Sequence, residues 1–211
     1  MSILKINIPN GSDQKVWITS DTHYGQNNIV RAVTRWRDGN GQVPIDATRD
    51  FKSIDHMNET IVNNINKVVR EDDILIHAGD WSFGGIEYIE NFGNRINCKT
   101  IHIVVGNHDD HILLNHEDVQ DMFTSVNTRI DLYYNKTLIV IDHYPLLSWR
   151  DINKGSIMLH GHSHSSNNDK IGKGRRCDIG IDGHIEFRPY DLINECIIPM
   201  MKIPIVSDHH R

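Results

Sequence analysis

Five short blocks of this chain end an apolar run in side chains that carry lone pairs or move protons. They are Asp21 and His23 in "SDTH", Asp80 in "AGD", Asn107 and His108 in "GNHD", His143 in "DHYP", and His162 and His164 in "HGHSH". Each block alone is weak, because a lone histidine is more often a satisfied polar residue than a ligand. Together they offer carboxylates, imidazoles and one amide oxygen, with no thiolate. That donor set suits Mn²⁺, Fe, Zn²⁺ or Ni²⁺, whereas an all-oxygen cage for Ca²⁺ or Mg²⁺ would not need the imidazoles. Seven candidate ligands, Asp21, His23, Asp80, Asn107, His143, His162 and His164, are too many for one tetrahedral ion. Two ions about 3.5 to 4 Å apart, bridged by one carboxylate and a water, would use them.

The elements that must position these groups are visible as strand-length apolar bursts in "KVWITSDTH", "DILIHAGD", "TIHIVVGNHD", "TLIVIDHYP" and "SIMLHGHSH". Four or five β-branched or large apolar residues in a row are the pattern of strands buried in a sheet core. Gly79, Gly106 and Gly161 precede the ligands, where a sharp turn needs conformational freedom or close approach. Ile54, Met57, Ile61, Ile65, Val68 and Val69 recur near helical spacing and predict an amphipathic helix. In "CDIGIDGHIEF" the Asp182-Gly183 pair predicts a tight hairpin turn, which makes Asp182 a turn residue rather than a ligand. Strands, a helical crossover and a late hairpin imply an α/β architecture with a mixed sheet system, its functional residues on loops beyond the strand ends.

At 211 residues, with scattered prolines and no repeat or low-complexity tract, the chain is expected to form a single domain, 1–211. The motif-bearing core is expected over about 16–190, and 205–211, with the terminal "DHHR", as a flexible tail. No secretory leader pattern or apolar run long enough to span a membrane is present, and Cys98, Cys177 and Cys196 form no CxxC. A cytoplasmic, reducing location with no membrane partner is therefore expected. A net charge of −6 argues against a generic electrostatic nucleic-acid binder.

The order DxH, GD, GNHD, H, GHxH resembles the calcineurin-like metallophosphoesterase superfamily, from about Val16 to Pro189. Asn28 and Arg31 after the first motif, Asn66 before the second and Trp149 after "HYP" are similar to a subgroup of short bacterial and phage members. The resemblance implies a β-sandwich of two mixed sheets flanked by helices, in four αββα layers. It implies one metal held by Asp21, His23, Asp80 and His164, and a second by Asp80, Asn107, His143 and His162, with Asp80 as the bridge. It further implies attack by a metal-bridging hydroxide and His108 as the general acid on the leaving oxygen. The expected cofactor is two divalent transition-metal ions, manganese first, with iron, zinc or nickel as alternatives. Two departures from the family pattern are Gln26 and Asp142, the latter adding a negative charge beside His143.

The expected reaction is hydrolysis of phosphomonoesters or phosphodiesters, with a phosphorylated small molecule or nucleotide as substrate. Asn28, Arg31 and Arg176 are candidate substrate contacts, Arg35, Arg37 and the rest of "KIGKGRR" being read as solvated loop charge. His77, His102 and His160 lie within strand patterns and are read as core or supporting residues, while Trp81 and Trp149 either wall the pocket or pack. For Asp109, orienting His108 and capping a following helix are both open. A nuclease or cyclic nucleotide phosphodiesterase and a catalytically silent scaffold are the rival readings. "GDWSFG" lacks the GDxVDRG extension of protein phosphatases, and "HGHSHSS" lacks the HxHxDH of metallo-β-lactamases.

Overall fold

Along every central strand, neighbouring side chains enter different apolar layers, and this alternation builds two sheets face to face. The computed structural model describes residues 13–30, 49–114, 119–165 and 173–206. In chain order the elements are β1 (Val16–Thr19), α1 (Ile54–Val68), β2 (Ile74–His77), α2 (Ile86–Arg95), β3 (Thr100–Val104), α3 (Asp110–Leu114), β4 (Ser125–Asn127), β5 (Ile130–Tyr134), β6 (Thr137–Asp142), β7 (Ile157–His160), β8 (Arg176–Asp178), β9 (Tyr190–Asp191) and α4 (Ile198–Met201).

The first sheet has the order β4-β3-β2-β1-β9, parallel except for β9, which runs antiparallel to β1. The second has the order β5-β6-β7-β8, with β5 antiparallel and the rest parallel. Val16, Ile18, Ile74, Ile76 and Val104 from the first sheet meet Ile139, Ile141, Ile157 and Leu159 from the second in one core. The residues between them in sequence face outward: Trp17, Leu75, Ile101 and Ile103 pack with Met57, Ile61 and Ile65 of α1 and with Ile89 and Phe92 of α2. This is the two-residue period of a strand meeting the longer period of a helix. On the outer side of the second sheet, Leu138, Val140 and Met158 pack with Trp149 and with Ile152 of a single 3-10 turn. The mixed two-sheet α/β fold with flanking helices is the one expected from the sequence.

The helix over Ile54–Val68 also forms as expected, started by Ser53, whose hydroxyl accepts the His56 N–H at 3.1 Å. Asn66 ties α1 to the end of α2, donating to the Arg95 carbonyl at 2.8 Å and accepting the Asn97 N–H at 2.9 Å. The expected hairpin at Asp182-Gly183 does not form. After β8 the chain makes a single 3-10 turn, Ile181–Gly183, and crosses to the other sheet as β9. The cause is that Asp182 is drawn inward to a buried arginine instead of projecting from a tight turn. Of the expected C-terminal tail, 207–211 lie outside the described residues, while Ile205 lies beside Gly155.

Candidate metal centre

Because β1, β2 and β3 are parallel, and β6 and β7 are parallel, each set delivers its C-terminal ends to one edge of its sheet. The two edges are joined across the sandwich. Both Asp21 carboxylate oxygens, beyond β1, accept the His162 N–H, beyond β7, at 3.0 Å. Gly161 N–H donates to the His143 carbonyl at 3.0 Å, and Asp21 N–H to the Gly79 carbonyl at 2.9 Å. Gly79 sits at φ +98, and a Cβ there would lie 2.5 Å from His143 Nδ1. Gly106 and Gly161 serve by close approach alone: a Cβ on Gly106 would strike the Asp80 carboxylate, and one on Gly161 the Ser20 hydroxyl.

The strand ends gather three overlapping groups of donor atoms, each group within 4.8 Å: Asp21, His23 and His164; His23, Asp80 and His108; and Asp80, His143 and His162. Asp80 Oδ2 lies 3.4 Å from His23 Nε2 and 3.6 Å from His143 Nε2, so one oxygen belongs to both sides. Its other oxygen, Oδ1, accepts the His108 N–H at 3.0 Å. Asn107 Oδ1 lies 2.9 Å from both His143 Nε2 and His162 Nδ1. His164 Nε2 is 3.2 Å from His23 Nε2 and 3.8 Å from Asp21 Oδ1. All seven candidate ligands and His108 are thus brought together. Five of them, Asp21, His23, Asp80, His162 and His164, have left-handed backbone, with φ of 56, 48, 58, 68 and 47°. That conformation disfavours a residue with a Cβ and is held here by the surrounding hydrogen bonds.

The donor set fits a metal. His143 Nδ1 lies 2.9 Å from the Ala78 carbonyl, so it must carry the proton, and Nε2 turns its lone pair toward Asn107 Oδ1. In that arrangement both atoms offer lone pairs that a cation lying against them would accept. His164 is oriented the same way, Nδ1 donating to Asp182 Oδ2 at 2.8 Å. Burial pushes His23 well below its ordinary value and lowers His162, keeping both rings in the neutral, ligating form. Burial raises Asp21 to about 6, a penalty that a bound cation would reverse. Burial also opposes a charge on His164, but its bond to Asp182 and the negative charges around it prevail, raising it to about 9. A metal binding there would displace a proton.

Several further residues support the donors. Arg49, buried at 3% exposure, donates to both Asp182 oxygens at 2.7 and 2.9 Å and also to the carbonyls of Asp21 and Thr22. Burial works against the Asp182 carboxylate, yet the Arg49 charge and hydrogen bonds, with His164, hold it well below the usual range. Asp109 neither orients His108 nor caps α3 with its side chain. Its carboxylate accepts the N–H groups of Asp80, Trp81 and Gly106 at 2.7, 3.0 and 2.7 Å, fastening the second motif to the third. Asp178 fastens the last motif, accepting from the Ser163 hydroxyl at 2.7 Å and the Ser165 N–H at 2.9 Å. Asp142 is matched by Arg129, at 2.9 and 2.6 Å, so the charge beside His143 is offset.

The other sequence-derived candidates divide. Asn28 is exposed on a single 3-10 turn, Asn27–Ile29. Arg31, Arg35 and Arg37 lie outside the described residues, as do His116 and 166–172. Arg176 donates to the Leu146 carbonyl at 2.8 Å and lies over the Trp149 ring at 5.6 Å. Both tryptophans pack: Trp81 with Phe92 and Phe123 in the helix-facing core, Trp149 on the outer face of the second sheet. His77, His102 and His160 pair with Thr22, Ser125 and the Gly161 carbonyl.

A mixed two-sheet sandwich that gathers imidazoles and carboxylates at its strand ends defines a class of α/β proteins able to hold metal ions between their sheets. Within that class the chain belongs to the calcineurin-like phosphoesterase superfamily, whose domain model matches residues 15–183. Membership supports phosphoester hydrolysis as its reaction class. The protein MJ1445 of Methanocaldococcus jannaschii is 25% identical over 161 residues, covering 75% of this chain and 74% of its own length. The Gene 66 protein of Mycobacterium phage D29 is 25% identical over 208 residues, covering 86% of this chain and 95% of its own. The crystal structure of AQ665 from Aquifex aeolicus, a protein of unknown function, shares the fold at a TM-score of 0.57 and 17% identity, covering 84% of this chain and 95% of that one.

Proposed function

We propose that the chain is a single-domain, dinuclear-metal phosphoesterase of the cytoplasm, hydrolysing phosphomonoesters or phosphodiesters of small molecules or nucleotides. Asp21, His23, Asp80 and His164 would hold one divalent ion, and Asp80, Asn107, His143 and His162 the other, with manganese the first choice. The observation that carries the reading is the shared oxygen, Asp80 Oδ2, lying 3.4 Å from His23 Nε2 and 3.6 Å from His143 Nε2.

When bound, such ions would polarise the phosphoryl group and make a coordinated water more acidic. The chain's own residues do the rest. Asp80 uses Oδ1 to fix the His108 backbone, leaving that side chain exposed beside the donor cluster. His108, as imidazolium, protonates the departing oxygen, a role worth about 10²- to 10⁴-fold. Asp182 and the Ala78 carbonyl hold the protons of His164 and His143 on Nδ1, so that Nε2 faces inward.

The test is release of p-nitrophenol from mono- and bis-p-nitrophenyl phosphate by the Mn²⁺-loaded protein, with chelator as control, alongside metal counting by equilibrium dialysis. We expect two ions per chain, loss of turnover with chelator, a fall of about 10²- to 10⁴-fold in His108→Ala, and fewer bound ions in Asp80→Asn. An inert metal-loaded protein across a broad phosphoester panel would overturn the reading. Two ions retained with full activity in Asp80→Asn would overturn the bridge.

A further inference from the structure

Two exposed aromatic rings border the donor cluster. Phe83, 41% exposed, meets the His108 ring edge-on, centroids 5.5 Å apart. Tyr144, 45% exposed, meets His162 at 4.7 Å and His143 at 5.0 Å. Neither ring is among the residues of the three apolar cores. Both are nevertheless held at the backbone: Phe83 N–H donates to the Tyr24 carbonyl at 2.8 Å, and Tyr144 N–H to Asp142 Oδ1 at 3.0 Å. Asp142 is itself gripped by Arg129. An aromatic face anchored in water beside a polar site is a platform for another planar ring, and little conformational entropy is lost when it is used.

The two platforms are not equivalent. One meets His108, the residue proposed to protonate the leaving oxygen, and the other meets His162 and His143, which belong to a different group of donors. We propose that Phe83 and Tyr144 select phosphoesters bearing planar aromatic groups, Phe83 stacking on a ring of the leaving group and Tyr144 on a ring of the other ester substituent. Nucleoside phosphates and aryl or nucleoside diesters are the substrates this arrangement takes. The inference rests on the phosphoesterase reading and deepens it.

Two matched pairs of substrates test it on the Mn²⁺-loaded protein. Adenosine 5′-monophosphate and ribose 5-phosphate release the same kind of primary alcohol and differ in the base. Thymidine 5′-(p-nitrophenyl phosphate) and methyl p-nitrophenyl phosphate release the same phenolate and differ in the other substituent. Base stacking on an aromatic residue is worth about 5- to 150-fold. We expect the ring-bearing member of each pair to be favoured in kcat/KM by about that factor. Phe83→Leu should bring the first ratio toward one and Tyr144→Leu the second. General damage would lower both members of a pair together and leave the ratio where it was.

Ratios near one in the wild type, or ratios that survive both substitutions, overturn the aromatic selection while the phosphoesterase reading stands. If no substrate of either pair is cleaved, the broad phosphoester panel judges the functional reading, and calorimetry with adenosine 5′-monophosphate and ribose 5-phosphate judges the platforms alone. Preferential binding of the nucleotide that is lost in Phe83→Leu supports them, and equal or absent binding overturns them.

Discussion

Replacing Asp182 by asparagine is the sharpest way to ask whether the metal centre depends on the buried arginine behind it. The carboxylate accepts two bonds from Arg49, at 2.7 and 2.9 Å, and one from His164, at 2.8 Å. An amide offers one oxygen where two are needed and turns its NH₂ against a donor. Arg49, 3% exposed, is left a buried cation without its anion. Breaking one side of such a pair costs about 3 to 5 kcal/mol. For a chain of this size that lowers the melting temperature by roughly 6 to 20 °C. The same change loosens His164 Nε2, and losing a partner that orients a metal-binding histidine weakens metal affinity by about 10- to 100-fold. Circular dichroism melts of chelator-treated protein would measure the first effect, and Mn²⁺ competition against a chromophoric chelator the second. Because both residues belong to one network, Arg49→Met combined with Asp182→Asn should lose less than the sum of the two alone. A melting temperature lowered by less than about 2 °C, with unchanged Mn²⁺ affinity, would refute the reasoning.

Three further outcomes are expected. Gly79→Ala forces a Cβ to φ +98 and to 2.5 Å from His143 Nδ1, and should cost at least about 2 kcal/mol, read by urea denaturation. Asp109→Ala leaves the N–H groups of Asp80, Trp81 and Gly106 unpaired, at about 1 to 3 kcal/mol each, so an unfolding free energy within about 1 kcal/mol of wild type would contradict the role given to it. Glu195 is held near 2 by its hydrogen bonds with Arg188, against burial, and by the Asp191 N–H. Its folded value is below its unfolded one, so the unfolded chain binds the extra proton. The stabilisation is therefore complete above about pH 4.5 and lost as pH falls toward 2. Denaturation midpoints of Glu195→Gln should accordingly be flatter than wild type across that window.

What the sequence makes legible follows from how each signal is written. Strands buried on both faces appear as unbroken apolar runs, so β1, β2, β3, β6 and β7 stand out, and the ligands at their ends are found with them. The two-residue β9 has no such run and is defined only by its pairing with Trp17 and Ile18. Asp182 followed by glycine looks locally like a turn, and its true partner, Arg49, stands 133 residues away with no motif around it. Asp109 is ambiguous for the same reason, since two of the three N–H groups it collects, those of Asp80 and Trp81, are supplied by a different strand end. The candidate metal ligands announce themselves by type. The residues that hold them in place are recognised only once the chain has closed.

The left-handed backbone at Asp21, His23, Asp80, His162 and His164 has a consequence for how such a chain can change over time. Each conformation disfavours an ordinary side chain by about 1 kcal/mol, so together they approach the margin by which a domain stays folded. Glycine at any of these positions would relieve the backbone while deleting a donor. A lineage freed from the need for metal is therefore expected to drift toward glycine or asparagine at these sites and become more stable, whereas a working lineage is held to aspartate and histidine against that gradient.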